Sequence, residues 1–156
     1  MITVELETEE LDRVLAQISA GLSDMSGLMN DLGNYMLVSH HDRMQRGEQP
    51  DGQSFAPRSQ TTIDIYTRQG KSFGMPLNQS GTMRQQIAFN YGEDWVEIGS
   101  NAIQAAVMQF GAEAGSLGPN APWGDIPARP FIGLSGEDES EMIGVVIDWL
   151  DSLAGI

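Results

Sequence analysis

Cysteine is absent from the 156 residues, which excludes disulfides and thiolate metal sites. Cations are scarce: 8 lysines and arginines face 22 aspartates and glutamates, for a net charge of -14. Most of such a surface repels a polyanion, so neither sequence-independent duplex binding nor direct sequence-specific nucleic-acid contact is expected of the isolated chain. No apolar run reaches the roughly eighteen residues of a membrane-spanning helix, and no charged-then-apolar leader opens the chain, so neither a membrane role nor secretion is expected. Histidine occurs only at His40 and His41. Adjacent helical residues point about 100° apart and cannot both face one metal. Gln69-Gly-Lys-Ser72 imitates the end of a phosphate-binding loop, but that pattern requires glycine where Ile65 stands. The serines lack the context of a nucleophile elbow. No enzyme, cofactor or metal is therefore expected.

What is present is an uneven charge. Residues 1–42 set Arg13 against eight acids, a net -7, and residues 85–156 set Arg129 against eleven, a net -10. Between them, Arg43, Arg46, Arg58, Arg68, Lys71 and Arg84 face only Glu48, Asp51 and Asp64, so this segment is +3. One reading is a solvated mixed-charge loop. The other is a basic surface that meets an acidic neighbour, such as the acidic ends of an identical subunit, in head-to-tail contacts that close into a ring.

The length suits a single domain, 1–156, with a helical part at 1–46, a long basic loop at 47–78 and an α+β core at 79–156. After an alternating start, Ile2-Thr-Val-Glu-Leu6, Thr8 is placed to cap a helix, with Glu9, Glu10 and Asp12 in its first turn. Leu11, Leu15, Ile18, Leu22, Met25, Met29, Leu32 and Met36 then step by four and three, a helical seam. Gly21, Gly27 and Gly33 weaken a continuous rod, so the seam predicts two helices, about 8–22 and 27–46, as a hairpin or bent helix.

Gly47 to Asn78 carries Pro50-Asp-Gly52, Pro57, Gly70, Gly74 and Pro76, with a short helix indicated around 59–66. Such a loop is either disordered or ordered by a partner. Deleting 47–74 is expected to leave a folded core. Ile87, Phe89 and Tyr91 alternate, Gly92-Glu-Asp94 turns, and Trp95 to Ile98 returns, a hairpin at about 87–98. Asn101 can cap a helix over 102–110 whose face joins Ile103, Ala106, Val107 and Phe110, with Gly111 as its stop. A loop around Trp123 follows.

Ile126-Pro-Ala-Arg-Pro-Phe-Ile-Gly-Leu-Ser135 is the most distinctive stretch. Pro127 and Pro130 hold it extended and away from the middle of a sheet, which predicts an edge strand at 129–134. Phe131 and Ile132 read as core anchors. Arg129, amid eleven acids, makes either an ion pair within the chain or a fork to a carboxylate across a subunit contact. Ser135 caps a final helix with Asp138 in capping-box position, and its apolar face is Met142, Val146, Trp149, Leu150 and Leu153. The elements together predict an α+β fold: the N-terminal helices, a central antiparallel sheet of three or four strands, and the C-terminal helix packed on the sheet.

Met108-Gln-Phe-Gly111 with Ile126–Ser135, together with Pro50-Asp-Gly52, Leu77-Asn-Gln-Ser-Gly-Thr-Met-Arg84 and Val96-Glu-Ile-Gly-Ser-Asn101, resembles the phage virion morphogenesis family, the tail-completion and head-joining proteins of Mu-like and P2-like tailed phages. The resemblance is colinear from about Arg43 to the C-terminus. Where the family places a Tyr-Ala pair before Gln-Phe-Gly, this sequence has Ile103-Gln-Ala-Ala106. The resemblance implies a non-enzymatic virion protein at the neck or tail end, assembled in the host cytoplasm, that forms a homo-oligomeric ring against neck, connector or tail proteins and supports stable head-tail joining. Expected contact residues are Arg43, Arg46, Arg58, Arg68, Lys71, Arg84 and Arg129; expected structural anchors are Phe110, Gly111, Pro127, Pro130 and Phe131. The charge also admits an acidic regulatory or DNA-mimicking protein that occupies a basic surface on a host factor.

Overall fold

The computed structural model describes residues 8–120 and 124–155. The alternating start at 2–6 and Trp123 lie outside them.

The helical seam forms α1 (Glu9–Ser23) and α2 (Ser26–Arg46). Between them Asp24 is extended, and its Oδ1 accepts from the Ser26 N–H at 2.9 Å, which starts α2. Thr8 does not accept a backbone bond as expected of a cap; its hydroxyl donates to Asp12 at 3.2 Å. The acids Glu9, Glu10 and Asp12 remain to complement the positive end of α1.

α2 is the spine of the molecule. Leu28, Leu32, Met36, His40 and Met44, spaced by four, form its buried face. Strands β1 (Ile87–Tyr91) and β2 (Val96–Ser100) make the expected hairpin, with Phe89 opposite Ile98 and Tyr91 opposite Val96. The hairpin packs on α2. Gly33 makes that approach possible, because a Cβ there would lie 2.2 Å from the Phe89 ring. A residue that reads as a weak point in a helix is thus where sheet meets helix.

The remaining elements are α3 (Gln60–Arg68), α4 (Thr82–Gln85), α5 (Ala105–Phe110) and α6 (Gly136–Ala154). Ser59 caps α3 by accepting from the Thr62 N–H at 3.3 Å. α5 starts later than its pattern suggested, because the Asn101 N–H bonds to Gln86 O at 2.9 Å and Ala102 is buried in the core. Asn101 therefore extends the hairpin's bonding instead of capping a helix.

The expectations about packing and the sheet also fail. α6 packs on α1 and α2, not on the sheet; α2 stands between them, covered by the hairpin on one side and by α6 on another. Among the described residues the sheet has two strands, not three or four. Residues 129–134 pair with no strand among the described residues, because the Met108 carbonyl and the side chains of Gln109, His40 and Arg43 take up their backbone groups.

The core joins Met44, Phe55, Met83, Ile87, Ala102 and Phe131. Phe55 comes from the long loop. Glu48 bridges to Ser54, and the Phe55 N–H bonds to Gly47 O at 2.8 Å, so the Pro50-Asp-Gly52 turn is folded back against the body. The loop divides into a built-in root, 47–57, and an outer arm, 58–76, whose helix α3 buries no residue. Deleting 47–74 would therefore remove part of the core rather than spare it.

Candidate functional site

The two motifs that stood out in sequence meet in space. Gln109, at the centre of Met108-Gln-Phe-Gly111, accepts from the N–H groups of Phe131 and Ile132 at 2.9 and 3.0 Å and donates to Ile132 O at 2.9 Å. One side-chain amide thus does what a neighbouring strand would do. The Arg129 N–H bonds to Met108 O at 2.7 Å. Gly111 adopts φ +75°, and a Cβ there would lie 2.7 Å from Ile126 O, so glycine is required on both counts. Pro127 is exposed, Pro130 is half-buried, and Phe131, 2% exposed, anchors this strap in the core.

The far end of the strap is latched by α2. His40 is fully buried; its Nδ1 faces Met36 O at 2.6 Å, and its Nε2 accepts from the Gly133 N–H at 3.1 Å. Burial lowers its pKa from the ordinary 6.5, favouring the neutral ring that this acceptor role requires. Arg43 donates to Gly133 O at 2.7 Å, to the Ser39 hydroxyl at 2.7 Å and to Asp138. Asp138 also accepts from the Ser39 hydroxyl, from the Tyr35 hydroxyl at 3.3 Å and from the Ser135 N–H at 2.7 Å. The Ser135 hydroxyl accepts in turn from the Asp138 N–H at 3.1 Å, completing a capping box. Burial alone would raise the Asp138 carboxyl; the bonds from Ser39 and Ser135 and the charge of Arg43 outweigh it and hold its pKa at about 2. Ser39, His40 and Asp138 are neighbours but form no catalytic relay. The serine donates to the carboxylate, while both histidine nitrogens face backbone groups.

The expected contact cations therefore separate. Arg43 is 5% exposed and belongs to the latch. Arg129, 7% exposed, reaches no carboxylate among the described residues; its guanidinium donates to Ala56 O and Pro57 O at 2.7 Å each, tying the strap to the root of the loop. Burial lowers its pKa, and the charge of Arg58 adds to this. Arg58 closes the neck of the arm through Gly74 O and Met75 O, at 2.5 and 2.6 Å, and lies over the Phe73 ring at 5.5 Å. Arg46 pairs with Glu48 at 2.7 Å, and Arg84 donates to Gln45 at 3.0 Å, both at the surface. Arg68 and Lys71 are exposed on the arm and take part in no ion pair found among the described residues.

Phe110, expected as an anchor, is 78% exposed, and Ile103 is 99% exposed. α5 is too short to bury both of its faces: Ala105 and Met108 turn to the core, which leaves Ala106 and Phe110 outward, and Ile103 is exposed in the turn before it. Sequence reasoning had no claim on Gln109, His40 or Asp138 as strap holders. For His40 the available signal was its place in the four-residue steps of the α2 stripe, which marks a buried polar group in need of partners.

The profile of the phage virion morphogenesis family matches residues 6–151. The chain is 24% identical over 154 residues to Mu-like prophage FluMu G protein 2 of Haemophilus influenzae, covering 98% of this chain and 99% of that one. It is 28% identical over 143 residues to the putative capsid assembly protein G of Escherichia phage Mu, covering 91% of this chain and 81% of the relative. No solved structure matches significantly.

Proposed function

Because this chain belongs to the phage virion morphogenesis family, we propose that it is a non-enzymatic structural protein that completes the tail or neck and supports stable joining of head and tail. It works as a homo-oligomer, a ring, against neck, connector or tail proteins. It acts in the host cytoplasm during assembly and stays at the neck or tail end of the virion. The observation that carries this reading is the division of labour among its side chains. The buried side chains of His40, Arg43, Arg129 and Asp138 hold the strap, while Ile103 and Phe110 stand exposed, as do Arg68 and Lys71, which take part in no ion pair found among the described residues, the chemistry of docking rather than of turnover. The phage Mu relative is named a putative capsid assembly protein, which supports a role in virion assembly in general. Among the described residues no helix is long and apolar enough to cross a membrane.

Inactivating the chain in a phage that encodes it tests the reading by electron microscopy of the lysate. Separate DNA-filled heads and unjoined tails are expected. Malformed or absent capsids would move the role back to capsid assembly, and normal virions at normal yield would overturn it.

A further inference from the structure

We propose that the exposed apolar edge of α5 in one copy of this chain seats against the apolar groove of the arm in the next copy. The contact rests on the self-assembly part of the reading above and specifies which surfaces meet. The donor surface centres on the outward-facing Phe110 at the end of α5, and beside it the acids Glu113 and Asp125 line the same open depression; Ile103, in the turn that leads into α5, is exposed as well. The receiving surface is a second open depression, lined by Pro57, Ile63, Phe73 and Met75 and edged by Arg58. Arg68 and Lys71 stand exposed on the same arm. Phe73 and Met75 are large apolar side chains left open to solvent, and the Tyr66 ring lies tilted against Phe73 with centroids 5.9 Å apart, which supports the aromatic side chain that lines the groove.

Charge selects the pairing. Edge against edge would set Glu113 and Asp125 against their own copies, and groove against groove would do the same with Arg58, Arg68 and Lys71. Edge against groove brings opposite signs around an apolar centre, the anatomy of a specific interface. The two surfaces differ, so the contact is heterologous, and its repetition builds a ring when the rotation closes. A large aromatic at the centre with charges at the rim makes Phe110 the expected hot spot.

Sedimentation velocity on three proteins tests this: the unaltered chain, Phe110→Glu, and the double variant Arg68→Glu with Lys71→Glu. All three altered residues are exposed, so the folds are expected to survive, and thermal melts check this. The unaltered chain self-associates, more weakly at high salt, and each variant shows a dissociation constant raised by roughly tenfold or more. Mixed in equal amounts, the two variants form a one-to-one dimer and nothing larger, because each retains the half that the other has lost. An oligomer that both variants leave intact overturns this contact while self-assembly stands. Two weakened variants that do not complement each other overturn the heterologous arrangement. An unaltered chain that stays monomeric at every concentration overturns the contact together with self-assembly, and the phage experiment above then decides the head-tail role independently.

Discussion

The strap and the arm are two proline- and glycine-punctuated segments with opposite fates. The strap, 126–135, is fixed along its length: Gln109 holds its middle, His40 and Arg43 hold Gly133, and Asp138 holds Ser135. The arm, 58–76, is gripped at its neck by Arg58, and its helix α3 buries nothing. Composition does not separate them. What separates them is where the backbone polar groups of each find partners, since a segment that satisfies them within the core becomes core without forming a strand.

The largest break in this comparison should come from removing the strap's terminal latch. Asp138→Ala leaves Arg43 buried without its carboxylate and is expected to cost roughly 3–5 kcal/mol in urea unfolding. A loss below about 1 kcal/mol would show that the strap is held elsewhere. Acid should loosen the same latch in two stages. The folded-state pKa of His40 lies below its ordinary 6.5, so its contribution is intact above that value and is lost as pH falls. Asp138, at about 2 against an ordinary 3.8, stabilises the fold above pH 3.8 and loses that contribution as pH falls towards 2, a change on the order of 2 kcal/mol. Denaturant midpoints measured between pH 7 and 2 should fall across both ranges, and stability that rises on acidification would contradict the assignment. The smallest effect is expected from the arm. Excising Gln60 to Phe73, with the root at 47–57 kept, should change stability by less than about 1 kcal/mol and abolish self-association. A collapse of the melting transition would show that the arm belongs to the core after all.

Much of the fold was legible from local pattern. The two N-terminal helices, their break, the hairpin, the short helix in the arm and the Ser135 cap all arise from groups a few residues apart, and short-range spacing predicts such features well. Phe131 was legible as an anchor because two prolines and an apolar run leave it few alternatives. The strand expected at 129–134 was not, because extended backbone alone does not reveal whether its bonds go to a strand or to a glutamine side chain. Phe110 misled for a related reason. Periodicity groups residues on one helix face, and only packing says whether that face turns inward. The basic segment shows the same limit, since Arg43 and Arg68 are equivalent as charges in sequence, yet one lies in the latch and the other in solvent.

The sequence by itself therefore determined the main helices, the hairpin, the Ser135 cap, the overall acidity and the family. Tertiary structure decided which polar residues became fastenings and which apolar residues stayed outside. Arg43 and Asp138 are separated by 95 positions, and no local spacing encodes such a meeting. It occurs because burying α2 between the hairpin and α6 brings each of them the other as its counter-charge, and an unpaired charge at that depth would cost more than the fold could spare.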